Sequence, residues 1–414
     1  MDSAILPRSI ASSVVTALAD TPAVVVNGPR QSGKTTLIRG LRYPGSVEIV
    51  TLDDPAARAA AAFDPRAFVE RVADTLAIDE AQLEPRLFRA IKATVDADRR
   101  PGRFLLTGSS RLLAAPDMAD ALVGRVEIIE LWPFAERELA APAGPSFIDI
   151  VFDQPAALLR GRTMTRGDVI ERALRGGFPE AIKRQPARRG AWFGSYVRTL
   201  TERVIRDVAD LQRPSEMPRL LRLCAARTGT ELNTTALANE LAIPARTVSG
   251  YLAHLTSAFM IWLVPAWSTN LSAKVVRRPK LMLTDSGLAA HLQGVTAQRL
   301  EHPDGPLGPL METFVATELL RQLSWSTTRA ALFHFRDRSG IEVDLLLEHP
   351  DGRVVGIEVK ATGTPRTDHL RGLRFLADRL GDRFTYGCLL TTAPEATPFG
   401  GKLAALPISA LWDS

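Results

Sequence analysis

Cysteine is scarce in this chain: Cys224 and Cys388 are the only two in 414 residues. That excludes a disulfide scaffold and points to a reducing compartment. Neither cysteine, nor His254, has a companion at metal-ligand spacing, so all three read as packing residues. Long apolar runs are also missing, and stretches such as Phe259–Val264 stop far short of the roughly 20 residues a membrane-spanning helix needs. The opening Met1-Asp2-Ser3 leads into no basic-then-apolar stretch, so no secretory signal is expected. The chain reads as soluble and cytoplasmic, with no membrane partner. Neither sign of charge dominates: Lys+Arg 51 against Asp+Glu 46 gives a formal +5. Such a balance is compatible with nucleic acid without demonstrating it. Internal repeats and low-complexity tracts are absent as well. Hydrophobic residues at 46% and charged residues at 23% leave a globular protein, and this length predicts two to four domains at roughly 100–200 residues each.

What is present begins with short apolar runs. Ala23–Asn27, Val47–Leu52, Leu76–Ile78, Phe104–Thr107 and Val126–Leu131 are separated mostly by helical periods. Continuous apolar strands alternating with helices predict a parallel sheet buried on both faces. Beyond Pro142 helical periods take over at Arg166–Arg175, Gly190–Leu211 and Glu216–Arg227. Two short amphipathic helices follow in Leu232–Leu255, around Ala242-Ile243-Pro244, then β-rich stretches near Met260–Trp267 and Lys280–Thr284. Gln298–Pro309, rich in Gly, Pro and Asp, reads as a linker. From Leu310 a helix leads into a β-hairpin.

The strongest motif is Gly28-Pro29-Arg30-Gln31-Ser32-Gly33-Lys34-Thr35, a complete G-x-x-x-x-G-K-[ST] between a strand and an apolar-faced helix. Glycines let the backbone curl so that N–H groups face phosphate oxygens. The helix N-terminus adds a favourable partial charge. Lys34 is expected to reach the β- and γ-phosphates of ATP and Thr35 to ligate Mg²⁺. Gly28 through Thr35, with the adjoining Thr36, are the expected nucleotide-binding residues. Thr75-Leu76-Ala77-Ile78-Asp79-Glu80 supplies an apolar strand ending in two carboxylates, the Walker B pattern. Asp79 is expected in the Mg²⁺ shell, and Glu80 as the group that polarises the attacking water.

Arg103–Ser110 is another strand ending in small polar residues. It resembles the sensor strand of AAA-type ATPases, with Thr107 or Ser109 as the γ-phosphate reporter, or else a plain strand-end turn. Arg125 stands where that superfamily often places an arginine finger acting on a neighbouring subunit; a solvated surface arginine is the other reading.

The whole chain resembles the bacterial and archaeal AAA-type ATPases that carry a C-terminal domain of unknown function with a restriction-endonuclease-like core. The resemblance rests on the loop at Gly28, Gly124-Arg125-Val126, Gly176-Gly177-Phe178-Pro179-Glu180 and Lys280–Leu288. It continues through Gly308–Val315, Ile357-Glu358-Val359-Lys360 and Pro407–Trp412. It implies ATP-dependent action without fixing the substrate. In related switch-type ATPases a Gly-x-Pro in the helical lid contacts nucleotide; Gly177-Phe178-Pro179 matches that spacing, which makes Pro179 a candidate, against a simple helix-breaking turn.

Ile341–Leu347 and Arg353–Lys360 flank His349-Pro350-Asp351-Gly352, whose Pro-Asp-Gly suits a three-residue hairpin loop with Gly352 left-handed. That register sets Asp344 opposite Glu358 and Glu342 opposite Lys360, with all four on one face. The cluster resembles the PD-(D/E)XK nuclease core. The resemblance implies Asp344 and Glu358 as Mg²⁺ or Mn²⁺ ligands, Lys360 as the residue that orients or activates water, and Glu312 completing the metal site. Such cores also serve for binding alone.

The two middle helices with the β-rich stretches after them look like a winged helix-turn-helix. Arg246, Thr247, Ser249 and Gly250 would stand near the start of its second helix, and Lys274, Arg277, Arg278 and Lys280 would form a basic wing. A role in packing alone is the other reading.

These readings divide an α/β chain into a P-loop AAA-type core at 1–145, a helical lid at 146–228, a winged helix-turn-helix at 229–297 and a nuclease-like α/β domain at 298–414. The expected activity is ATP hydrolysis coupled to DNA binding or processing, with metal-dependent cleavage in the C-terminal domain. An ATP-dependent regulatory switch that binds other proteins, its nuclease-like domain inactive, is the alternative. An arginine finger acting in trans would make the chain a homo-oligomer.

Overall fold

The computed structural model describes residues 6–71, 73–109, 122–140, 144–160, 163–207, 213, 215–302 with 270–276 left out, and 304–413. The chain divides into two compact units, Met1–Pro133 with Ser257–Phe259, and Phe134–Thr256 with Met260–Ser414.

In the first unit the apolar runs become β1 (Ala23–Asn27), β2 (Val47–Thr51), β3 (Thr75–Asp79), β4 (Phe104–Gly108) and β5 (Val126–Glu130). They pair in the order β2-β3-β4-β1-β5, every pair parallel. β1, β3 and β4 are buried at every position, as helices on both faces require, whereas the edge strands β2 and β5 are half-covered. One face packs Val25, Ile78, Phe104 and Leu106 against Leu87, Phe88, Ile91 and Val95 of the helix Arg86–Ala97. The carboxyl ends of β1, β3 and β4, where the candidate residues cluster, come side by side: Asn27 pairs with Gly108, and Ile78 with Leu106.

The second unit holds two further sheets. β6 (Thr230–Glu231), β7 (Ile261–Val264) and β8 (Lys280–Leu283) form an antiparallel sheet ordered β6-β8-β7. The helices Thr234–Leu241 and Ala245–Ser257 precede β7, joined through Ala242 in a left-handed conformation, φ 53°. The larger sheet is built from β9 (Ala331–Arg336), β10 (Glu342–Glu348), β11 (Val354–Lys360), β12 (Phe384–Thr391), β13 (Thr397–Pro398) and β14 (Leu403–Pro407). Its order is β13-β14-β12-β11-β10-β9. The hairpin β10–β11 takes the expected register, Leu345 opposite Ile357, and Gly352 is left-handed at φ 91°.

The expected linker at Gln298–Pro309 is instead occupied by two helix ends. Ala297–Glu301 is helical, capped by Thr296, and Leu307–Leu323 begins two residues before Pro309. Proline in a first turn forfeits no helical hydrogen bond, which is why its presence did not mark a break. Among the described residues no helix is long and apolar enough to cross a membrane.

Candidate nucleotide site and C-terminal carboxylate cluster

β1 delivers the chain into the P-loop with no room for a side chain at its first residue: a Cβ on Gly28 would lie 2.1 Å from the carbonyl oxygen of Leu131. Gln31 and Gly33 are left-handed, φ 64° and 97°, so the loop winds back on itself before the helix Lys34–Gly40 starts. Lys34 is 5% exposed, and its Nζ donates to the carbonyls of Gly28 at 3.0 Å and Pro29 at 2.9 Å. Burial pulls its pKa down to about 8, opposed by the charges of Glu80 and Asp79. The loop is braced by Arg8, which donates to the carbonyls of Ser32 at 2.8 Å and Trp132 at 2.7 Å.

At the end of β3, Asp79 accepts from Thr35 Oγ1 at 2.8 Å on one oxygen and from Thr107 on the other. Glu80 is left-handed at φ 56°, which turns its carboxylate toward β4. There it accepts from Ser109 Oγ at 3.0 Å and from Gln82, while its amide donates to Thr107 Oγ1 at 3.2 Å. The two sensor candidates therefore divide the work, Thr107 on Asp79 and Ser109 on Glu80. Gln82 and Arg8 had no motif to flag them. Gln82 stands two residues after Glu80, and Arg8 precedes the first described helix.

These residues fit Mg·ATP. Ser32 Oγ and Asn27 Oδ1 are buried beside the loop without a hydrogen-bond partner, the residue spacing brings Thr35 and Asp79 into contact, and every donor on the two carboxylates other than main chain is neutral. Thr36 is exposed on the outer side of the helix. Arg125 forks around Asp96, Nε at 2.6 Å and Nη2 at 2.9 Å, and holds that carboxyl below the usual range.

Pro179 belongs to the second unit, where it opens the short helix Pro179–Ile182. The loop before it is fixed within that unit. Gly177 N donates to Asp285 Oδ2 at 2.7 Å, and Arg321 reaches the same oxygen at 2.8 Å. Arg321 also donates to the carbonyl of Phe134 at 2.8 Å, and Phe134 N returns a bond to the carbonyl of Gly177 at 2.8 Å. Phe178 is fully buried against Tyr196, ring centroids 5.0 Å apart.

The C-terminal cluster assembles Glu312, Asp344, Glu358 and Lys360, and adds a residue the sequence placed elsewhere. Lys280 is 7% exposed, with Nζ 2.6 Å from Glu312 Oε1 and 3.6 Å from Asp344 Oδ1. Its place in a solvated basic wing is therefore corrected: as the first residue of β8 it points inward. Lys360 Nζ lies 2.6 Å from Glu358 Oε1 and 3.7 Å from Asp344 Oδ2, and Val359 N donates to Asp344 Oδ2 at 2.9 Å. Burial raises the Glu312 and Glu358 carboxyls, against the pull of Lys280 and Lys360. Glu342, the first residue of β10, stays outside the buried group: it is exposed, 3.9 Å from Arg336. Among the described residues no group of three His, Cys, Asp or Glu side chains is placed to hold a metal ion.

On the helix Ala245–Ser257, Val248, Tyr251, Leu252 and Leu255 are buried, which leaves Arg246, Ser249 and Gly250 exposed and Thr247 half-buried. Arg278 is exposed, Arg277 donates to the carbonyl of Arg336 at 3.1 Å, and Lys274 lies outside the described residues. Cys224 and Cys388 are fully buried, and burial pushes both thiols up.

Residues 20–140 match the family described as AAA domain, 166–299 a domain of unknown function (DUF8612) and 307–411 another (DUF4143). Residues 20–140 are thus an AAA-type P-loop ATPase domain. Among solved structures, the Walker-type ATPase PABY2304 of Pyrococcus abyssi is 16% identical, covering 70% of this chain and 97% of its own, at a TM-score of 0.40. The uncharacterized proteins Rv2008c of Mycobacterium tuberculosis and Mb2031c of Mycobacterium bovis are each 30% identical over 363 residues, 86% of this chain and 74% of theirs. The chain belongs to the same family as these two mycobacterial proteins.

Proposed function

We propose that this chain is a Mg²⁺-dependent ATP hydrolase that couples turnover to DNA. The observation that carries the reading is the continuous set of bonds Thr35–Asp79–Thr107 beside Glu80–Ser109–Gln82, which brings an ion-binding pair and a base together at the strand ends. Lys34, released from the Gly28 and Pro29 carbonyls, binds the β- and γ-phosphates, and the backbone of Gly28–Gly33 receives the remaining phosphate oxygens. Thr35 and Asp79 hold Mg²⁺, which when bound offsets charge on the phosphate oxygens. Glu80 accepts the proton of the attacking water, and Ser109 and Gln82 fix its rotamer. Pro179 as a lid contact and Arg125 as a finger supplied to a second copy of the chain complete the proposal.

For DNA, the supporting features are the exposed Arg246, Ser249 and Gly250 on one helix face and the exposed Arg278, a pattern suited to docking on a duplex as a winged helix does. The C-terminal domain, read as nuclease-like, acts here by holding rather than cutting, because Lys280 stands between Glu312 and Asp344. ATP turnover measured with and without single-stranded, duplex and branched DNA, with Lys34→Ala as the blank, tests both parts. DNA stimulation supports the coupled reading. Turnover indifferent to DNA, with no DNA affinity, leaves an ATP-dependent switch acting on protein partners.

A further inference from the structure

The C-terminal cluster contains one cation more than a nuclease-like arrangement uses. Lys280 enters it from β8, in a different sheet from the carboxylates on β10 and β11. Its ammonium meets three oxygens: Glu312 Oε1 at 2.6 Å, the Asp344 carbonyl at 3.3 Å and Asp344 Oδ1 at 3.6 Å. Asp344 Oδ2 is taken by the amide of Val359 and faces Lys360, which holds Glu358 Oε1 as well. Both oxygens of the central aspartate are thus committed. Of the cluster's carboxylate oxygens, Glu358 Oε2 is buried without a partner.

We infer that the Lys280 ammonium permanently occupies the place between Glu312 and Asp344 that a divalent ion would need, so that the cluster is a metal-independent ionic latch between the β6-β8-β7 sheet and the C-terminal sheet. Three carboxylates against two ammonium groups are already close to neutral. Adding a divalent ion would turn that net charge of one sign into the same net charge of the other, so the ion brings no gain in neutrality to repay its dehydration in a mostly buried site. Nor does Lys280 step aside at low cost: its side chain is 9% exposed, and leaving would strip the buried Glu312 of its ion-pair partner and Asp344 Oδ1 of its nearest cation. The residues therefore do not fit a Mg²⁺ or Mn²⁺ centre. This inference stands apart from the ATPase reading, since it concerns other residues.

The test uses the full chain carrying Thr35→Ala and Asp79→Asn, which removes the side chains expected to bind an ion at the P-loop. Free Mn²⁺ is then followed by electron paramagnetic resonance during titration. The expected result is no stoichiometric uptake below about 1 mM, the weak end of protein oxygen-ligand sites. Adding Lys280→Gln should open a site at least about tenfold tighter that Asp344→Asn abolishes. Stoichiometric uptake with Lys280 intact, lost on Asp344→Asn, would overturn the inference. So would a folded Lys280→Gln chain that gains no Mn²⁺. Should Lys280→Gln not fold, the titration with Lys280 intact decides alone: no stoichiometric uptake supports the inference, and uptake lost on Asp344→Asn overturns it. Failure of the ATPase reading would leave every one of these results unchanged, because the P-loop ligands are absent throughout.

Discussion

The two carboxylate clusters of this chain differ in what answers their charge. Asp79 and Glu80 are met by the side chains of Thr35, Thr107, Ser109 and Gln82, all neutral. Glu312, Asp344 and Glu358 are met by Lys280 and Lys360. A hydroxyl that donates to a carboxylate can turn and offer a lone pair to an arriving cation. An ammonium has to be expelled first. Residue type is the same in both places; the neighbours decide whether an acidic cluster receives an ion or has its charge cancelled internally.

Four experiments bear on this contrast. The largest effect belongs to Glu80→Gln, which should slow ATP hydrolysis by about 10²–10⁴-fold while leaving nucleotide binding near wild type, measured by single-turnover hydrolysis beside calorimetry. Equal loss of binding and turnover would place Glu80 among the binding groups instead. Next is Lys280→Ala, expected to cost about 3–5 kcal/mol in chemical denaturation because the buried Glu312 loses its ammonium partner. A change near zero would mean that the latch carries no stability.

A smaller, pH-dependent effect is expected at Glu318, which is fully buried and accepts from the amides of Glu136 at 2.7 Å and Arg137 at 3.3 Å. Burial raises its carboxyl to about 7. The folded chain then keeps a proton that the unfolded chain releases, so this group's contribution is full below the unfolded pKa and is lost as pH rises through 7. Wild type should therefore lose melting temperature between about pH 5 and pH 8, and Glu318→Gln should flatten that slope. The smallest shift in stability belongs to Arg125→Ala, whose partner Asp96 is solvent-exposed. Melting should be unchanged, while turnover falls under conditions that favour oligomers; unchanged turnover removes Arg125 from the site.

The parts of this molecule that were legible in sequence are those fixed by local chemistry. Gly28–Thr35 between an apolar strand and a helix leaves few conformations open, and the buried pattern of Ala23–Asn27 follows from its composition. Pro350-Asp351-Gly352 set the β10–β11 register for the same reason. Lys280 was misplaced because its neighbours Arg277 and Arg278 make a basic run, and only the pairing of β8 between β6 and β7 turns it inward. Glu342 escaped because alternation along β10 does not tell that its first residue lies exposed beside Arg336. Gln82 and Arg8 act through contacts whose geometry depends on the left-handed Glu80 and on the path of the first residues.

The knot around Gly177 has a mechanical corollary. Asp285 and Arg321 are 0% and 3% exposed, and a side chain at Gly177 would lie 2.1 Å from the Phe134 carbonyl oxygen. The turn leading to Pro179 is therefore tied rather than free: lifting it would break the bonds Gly177 makes to Asp285 and to Phe134, and leave a buried ion pair with one donor fewer. Because Arg321 sits on the helix Leu307–Leu323, that helix and the turn share the same anchor.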